Sequence, residues 1–134
     1  MHTGVGAALN VHEGPMSISP RFGNTEVLKS RQILSNEPGY YKDGAYGIRI
    51  ENLLEIVPLE KESTEDKGFL KFEKLTMIPI QTDLIIKEML SVEEMDWLDE
   101  YHASVWKKIG DRLSDGSKAK IWLERMCQKI ERNL

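Results

Sequence analysis

The chain lacks several features that mark particular classes of protein. It has one cysteine, Cys127, among 134 residues, so no disulfide can form within the chain, and this favours a reducing compartment. No run of about 18 apolar residues occurs, so nothing is expected to span a membrane. The first fifteen residues contain no basic stretch followed by an apolar run, so no secretory signal is visible. Together these absences predict a cytoplasmic protein.

An excess of basic residues is also missing. The formal net charge is −4, which gives no electrostatic reason to expect a nucleic-acid partner. Apolar residues make up 40% of the chain and charged residues 30%, proportions that are typical of a soluble globular protein. The length is that of one domain, or of one lobe of a larger domain.

Strand patterns dominate the first part of the chain. Residues that favour extended backbone predict strands at about 31–37 and 46–58, and one or two more within 69–80. The highly charged stretch 59–68 has no periodicity, which is typical of a solvated loop. Because helical patterns follow, we predict an α+β fold with antiparallel strands followed by C-terminal helices.

Two helices are predicted after these strands. Ser91 and Glu94 have the spacing of a capping box, in which each side chain accepts a hydrogen bond from a free backbone N–H at a helix start. Apolar residues then recur at helical spacing until residues 114–117, where a glycine can adopt a left-handed cap. A second helix is predicted from about residue 118 to Arg132. The single histidine of the first helix, His102, is interpreted as a surface or packing residue.

Two glutamates, Glu37 and Glu51, flank a predicted hairpin. Asp43 and Gly44 between extended segments indicate its turn. With a two-residue loop, paired residue numbers sum to 87, and the two glutamates would point to opposite faces. With a three-residue loop or a bulge the sum is 88, and they would be directly opposed on one face.

Two opposed carboxylates repel each other unless a positive group lies between them. A divalent cation such as Mn²⁺, Mg²⁺ or Ca²⁺ would remove that cost, because such hard cations prefer oxygen ligands. Two alternatives need no metal: Glu37 and Glu51 could diverge into solvent, or Arg49 could neutralise one of them. Spacing alone leaves all three open.

Five segments together resemble one enzyme family. Three of them, LNVHEGP (9–15), SNEPGYY (35–41) and GIRIEN (47–52), resemble the catalytic domain of aminopeptidase P, also called Xaa-Pro aminopeptidase. Two more, LTMIPIQT (75–82) and SVEEMDWLDEYH (91–102), resemble the C-terminal extension of its longer, cytosolic-type members. The resemblance covers nearly the whole chain in order.

This resemblance implies a fold and a division of the chain. The family has the pita-bread fold, which it shares with creatinase, prolidase and methionine aminopeptidase. Residues 1–67 would form the C-terminal half of the metallopeptidase core, and residues 68–134 the extension of long aminopeptidases P.

The resemblance also implies roles for four residues. Glu37 would be a terminal ligand of one metal ion, and Glu51 would bridge two, usually Mn²⁺. His12 would contact the substrate and stabilise the tetrahedral intermediate, and Arg49 would hold the carboxylates in place. The implied reaction is removal of an N-terminal residue that precedes proline, by two-metal hydrolysis.

The sequence departs from the family pattern at several ligands. The family's two aspartate ligands have no counterpart here, and Thr3 stands where a histidine ligand is expected. His2 is one residue off, and a one-residue slip turns a strand side chain to the other face. Further along, Arg31 lies where the family expects a turn glycine; if that position has φ > 0, Arg31 costs about 1 kcal/mol or more.

Three hypotheses follow from the incomplete ligand set. The chain is a fragment or truncated paralogue of a Mn²⁺-dependent Xaa-Pro aminopeptidase and inactive alone; it is a dimerisation or interaction module; or it is half of a split enzyme. Without the other half of the domain, apolar surface should be exposed, and this predicts a homo-oligomer or a separate N-terminal half as partner.

Overall fold

The computed structural model describes residues 2–6, 12–19, 23–59 and 68–131, with the backbone alone at His2 and Thr3. The chain forms two compact units, Met1–Thr76 and Met77–Leu134. The first contains strands and the second contains helices, as the α+β prediction requires. Among the described residues, no helix is long and apolar enough to span a membrane.

The first unit contains antiparallel strands. In chain order they are β1 (His2–Thr3), β2 (Ser17–Ile18), β3 (Ile33–Asn36), β4 (Gly39–Lys42), β5 (Tyr46–Arg49), β6 (Asn52–Pro58) and β7 (Leu70–Lys74). β3, β6 and β7 form a sheet with β6 in the centre, while β1 pairs with β2 and β4 with β5. A bridge between Gly4 and Leu34 connects the end of β1 to β3.

The second strand predicted from sequence is interrupted, and the first is shorter than predicted. The stretch 46–58 is divided into β5 and β6, while 31–37 contains only β3, and β4 follows it after Pro38. At the interruption the Ile50 N–H donates to the Pro38 carbonyl at 3.2 Å. The reciprocal bond cannot form because proline has no N–H. Pro38 therefore accounts for the gap in both ladders.

The turn before β3 contains a strained residue. The Gln32 N–H donates to the Lys29 carbonyl, and Arg31 at the third position of this turn has φ 69°. The Arg31 N–H then donates to the Ile56 carbonyl at 2.7 Å, which joins the turn to β6. Left-handed backbone is normally taken by glycine, so the condition on which the cost of Arg31 was predicted, a positive φ at this position, is met.

Residues 77–131 of the second unit form two helices, α1 (Val92–Ile109) and α2 (Lys118–Met126), and three short 3₁₀ segments, Thr82–Leu84, Lys87–Met89 and Gly110–Arg112. The predicted capping box is present. The Ser91 side chain accepts the Glu94 N–H at 3.2 Å, and the Glu94 carboxylate accepts the Ser91 N–H at 2.8 Å.

The core of the second unit is built from both helices and the residues that flank them. Its buried apolar members are Leu98, Tyr101, Val105, Leu123 and Ile130. The Tyr101 hydroxyl donates to the Ile78 carbonyl at 2.8 Å, and Nε2 of the fully buried His102 accepts the Ile80 N–H at 3.1 Å. His102 is thus a packing residue, one of the two interpretations drawn from sequence.

The predicted end of the second helix is wrong. We expected it to reach Arg132, but α2 ends at Met126. Beyond it, Ile130 is buried and its N–H donates to the Asp99 carboxylate of α1 at 2.9 Å. A side chain of another helix therefore satisfies a backbone group that a longer α2 would have bonded internally. Residues 132–134 lie outside the described residues.

Candidate functional site

Glu37 and Glu51 lie opposite each other on one face of the first unit. The residue numbers sum to 88 both in the pair Asn36–Asn52 and in the pair Gly39–Arg49. The two ladders therefore have the same register, and position 37 faces position 51. The hairpin turn has three residues between Lys42 and Tyr46, with Gly44 at φ 68°. The three-residue loop, one of the alternatives left open by the sequence, is therefore the observed one.

The guanidinium of Arg49 contacts both glutamates. Its Nη1 lies 3.1 Å from Oε2 of Glu37, and its Nη2 lies 3.2 Å from Oε2 of Glu51. The planar fork of arginine suits such two-fold recognition, because its donors have fixed relative positions. The sequence-based alternative, that Arg49 neutralises one carboxylate, is too narrow: Arg49 pairs with both, and the glutamates do not diverge into solvent.

Glu37 is the more enclosed of the two carboxylates. Its side chain is 10% exposed, against 37% for Glu51. The Ser35 hydroxyl donates to Oε1 of Glu37 at 2.7 Å, and this hydrogen bond, together with the charge of Arg49, lowers the pKa of Glu37. A donor and a cation both favour the ionised carboxylate. Glu37 is therefore charged at neutral pH.

His12 lies at the edge of this group. Its Nε2 is 3.7 Å from Oε1 of Glu37, and its side chain is 68% exposed. Residue 12 is in a bend outside β1 and β2. The structure thus brings together all four residues singled out from sequence: His12, Glu37, Arg49 and Glu51.

Two neighbouring residues were missed from sequence. Ser35 precedes Glu37 by two positions, a spacing that places strand residues on one face. Tyr41 interacts with Arg49 through its hydroxyl and raises the pKa of Arg49, and the Tyr41 ring covers two glycines of the hairpin. A Cβ at Gly39 would lie 2.8 Å from the Tyr41 hydroxyl, and one at Gly47 would lie 2.8 Å from the ring. Both glycines therefore make room for Tyr41.

The side chains of this site are of the kind that binds a divalent cation, but they are few. Glu37 and Glu51 offer carboxylate oxygens on one face, which hard cations prefer. However, no group of three or more histidine, cysteine, aspartate or glutamate side chains that could hold a metal ion occurs in the described part of the chain. The side chains of His2 and Thr3 lie outside it.

Family comparisons match most of the chain. A family model described as "Metallopeptidase family M24" matches residues 1–58, and one described as "C-terminal region of peptidase_M24" matches residues 68–130. The first match covers strands β1 to β6, and the second covers β7 and both helices.

Relatives give the same result. The chain is 54% identical over 121 residues to aminopeptidase P2 of Arabidopsis thaliana, a match covering 90% of the chain and 17% of the relative. It is 47% identical to the probable Xaa-Pro aminopeptidase P of Coprinopsis cinerea, covering 95% and 21%. The crystal structure of X-prolyl aminopeptidase from Caenorhabditis elegans, described as a cytosolic enzyme with a di-nuclear active site, matches with TM-score 0.79 and 42% identity, covering 96% and 21%. The chain thus spans about a fifth of the length of these relatives.

Proposed function

The chain belongs to the aminopeptidase P group of metallopeptidase family M24 and has part of its pita-bread fold, and we propose that it supplies one side of a dinuclear site that removes an N-terminal residue preceding proline. The observation that supports this most directly is the opposed pair Glu37 and Glu51 on one face. A glutamate pair of this geometry can bind one cation each or share one between them.

In this proposal each site residue has a separate task. Glu37 and Glu51 would hold two Mn²⁺ ions, Glu37 as a terminal ligand and Glu51 as a bridging one. When bound, such cations polarise a peptide carbonyl and make a water molecule more acidic. Arg49 keeps both carboxylates oriented, and Ser35 and Tyr41 extend that network.

His12 is proposed to contact the substrate rather than a metal ion. It is the most exposed member of the group, with its Nε2 3.7 Å from the carboxylate of Glu37. An imidazole ring carries an N–H that can donate a hydrogen bond to the substrate oxygen. The substrates would be peptides with proline in the second position.

The chain alone is proposed to be inactive. Two carboxylates bind a divalent cation weakly and leave its geometry undefined, because a stable site needs more protein ligands. The direct test is hydrolysis of an Xaa-Pro peptide by the purified chain with Mn²⁺. No turnover is expected, and turnover that Glu37→Gln abolishes would contradict the proposed inactivity.

A complementation experiment tests the catalytic half of the proposal. The chain is co-expressed with the part of Arabidopsis aminopeptidase P2 that precedes the matched region. Activity that requires both parts, and that is lost in Glu51→Gln, is the expected result. If both parts associate but no Xaa-Pro peptide is cleaved, the assignment of Glu37 and Glu51 as functional ligands is wrong.

The second candidate function is association with another protein. It is supported by exposed apolar residues on the face of the hairpin opposite to Glu37 and Glu51. Tyr40, Tyr46, Ile48 and Ile50 are between 42% and 59% exposed there. Exposed apolar clusters mark surfaces that bind another protein. We propose self-association or binding of an N-terminal half. Light scattering of the chain at increasing concentration, with Ile48→Lys as the variant, tests this; a monomer at all concentrations contradicts self-association.

The proposed boundary between core and extension lies at residues 67 and 68. The two family matches leave residues 59–67 between them, which supports it. β7 (Leu70–Lys74) lies after this boundary yet pairs with β6. The extension would therefore begin by adding a strand to the core sheet.

A cytoplasmic location is likewise proposed, supported by the single cysteine and by the cytosolic C. elegans relative.

A further inference from the structure

Ser35 is a buried hydroxyl directed at one oxygen of Glu37. The residue is 2% exposed, and its Oγ donates to Oε1 of Glu37 at 2.7 Å. Buried polar groups are hydrogen-bonded because leaving one without a partner costs about 1–3 kcal/mol. A hydroxyl bonded to a carboxylate is also among the stronger hydrogen bonds of proteins.

The backbone that holds Ser35 is fixed on both sides. Ser35 is the third residue of β3 and pairs with Leu53 in the central strand β6. Its neighbour Leu34 is fully buried, and the Thr76 hydroxyl accepts the Leu53 N–H at 2.8 Å. The hydroxyl therefore projects from paired and buried backbone, whereas Glu37 follows the end of β3, where the ladder is interrupted.

The two oxygens of Glu37 have different partners. Oε1 accepts from Ser35 and Oε2 from Arg49, at 2.7 and 3.1 Å. One donor leaves a carboxylate free to rotate about its last bond, while two donors on different oxygens fix its plane. The plane of a carboxylate ligand decides which lone pairs are directed at a cation.

We propose that Ser35 is a positioning residue that fixes the carboxylate plane of Glu37 and so prepares it for a divalent cation. This inference rests on the proposed function of Glu37 as a metal ligand. The role requires a hydroxyl at position 35, and not merely a side chain of the right volume. Replacement by threonine should therefore preserve the positioning role. Replacement by valine, which has the shape of threonine but no hydroxyl, should not.

The matched pair Ser35→Thr and Ser35→Val provides the test, because both add the same volume to a buried site. The first measurement uses the metal-free chain: hydrogen exchange of the Arg49 guanidinium, followed by NMR. If Ser35 fixes Glu37, exchange should be several-fold faster in Ser35→Val and close to the wild-type rate in Ser35→Thr. Equal rates in the two variants would overturn the proposal.

The second measurement is Mn²⁺ affinity, followed by electron paramagnetic resonance of free Mn²⁺. Outer partners of metal ligands typically change affinity about 10-fold or more, so about 10-fold weaker binding is expected for Ser35→Val alone. If the wild-type chain binds no Mn²⁺, the metal role fails, while the exchange rates still decide whether Ser35 fixes Glu37. If the wild-type chain binds Mn²⁺ and the two variants bind it with equal affinity, Ser35 does not prepare Glu37 for the metal ion.

Discussion

Glu37 and Glu51 occupy opposed positions on antiparallel segments, and one guanidinium, that of Arg49, contacts both carboxylates. Two negative charges at such positions would repel each other if nothing lay between them. The metal-free chain is therefore compensated internally by an arginine. This arrangement makes Arg49 the residue on which both the stability of the site and its response to cations depend.

The first prediction concerns loss of this bridge. Arg49→Gln removes the positive charge, so the two carboxylates repel and the unfolding midpoint at neutral pH should fall. Arg49→Lys keeps the charge but presents a single point donor that cannot contact both carboxylates in the same way, so its midpoint should lie between the two. Thermal unfolding followed by circular dichroism gives the order, and a glutamine variant as stable as wild type would contradict the bridging role.

The hairpin shows how far sequence reasoning could reach. Asp43 and Gly44 identify the turn, but the pair is equally compatible with two or three loop residues. The structure resolves this because the Ala45 N–H donates to the Lys42 carbonyl at 3.0 Å and Gly44 adopts φ 68°. One residue of loop length decides whether Glu37 and Glu51 share a face. Local pattern alone does not contain that information.

Whether another feature could be predicted depended on how far apart in the sequence its contacting residues are. The capping box at Ser91 was predictable because its partners are three residues apart. The end of α2 was not, because it depends on Asp99, which accepts the Ile130 N–H across 31 positions. Ser35 was also missed, although its spacing from Glu37 was readable, since serine at a strand position has many structural uses.

The second prediction concerns the strained turn at Arg31. A non-glycine residue in the left-handed region costs about 1–2 kcal/mol, and glycine in its place adds about 0.5–1 kcal/mol of unfolded-chain flexibility. Arg31→Gly should therefore stabilise the chain by about 0.5–1 kcal/mol. Urea unfolding measures the difference. Arg31→Ala is the control: it removes the exposed side chain without relieving φ, so an equal gain there would refute the strain argument.

The third prediction is a pH dependence due to His102. Burial lowers its pKa below the ordinary value, Asp99 opposes this shift, and Nε2 must be unprotonated to accept the Ile80 N–H. The unfolded chain then binds a proton more readily than the folded one. The contribution of His102 to stability is complete above its unfolded pKa of about 6.5 and decreases as the pH falls from there towards the lowered folded value.

Replacement of His102 isolates that contribution. His102→Gln keeps an acceptor for the Ile80 N–H but does not titrate, so its stability should depend less on pH between neutral and mildly acidic solution than that of wild type. His102→Leu leaves the Ile80 N–H without this acceptor and should cost about 1–3 kcal/mol at neutral pH. Urea unfolding at a series of pH values measures both. Parallel curves for wild type and His102→Gln would show that another group titrates.

The fourth prediction concerns the part that Arg49 takes in Mn²⁺ binding. Its guanidinium contacts the Oε2 atoms of Glu37 and Glu51 at 3.1 and 3.2 Å and so keeps both carboxylates oriented. Arg49→Gln loses this orientation and should bind Mn²⁺ more weakly than wild type. Titration of each variant with Mn²⁺, followed by the shift in unfolding midpoint, measures the difference, because an ion that binds only the folded state stabilises it increasingly as its concentration exceeds the dissociation constant. The double variant Arg49→Gln/Glu51→Gln is the control and should bind Mn²⁺ no better than Arg49→Gln. If Arg49→Gln instead binds Mn²⁺ more tightly than wild type, the guanidinium competes with the metal ion rather than orienting the carboxylates for it.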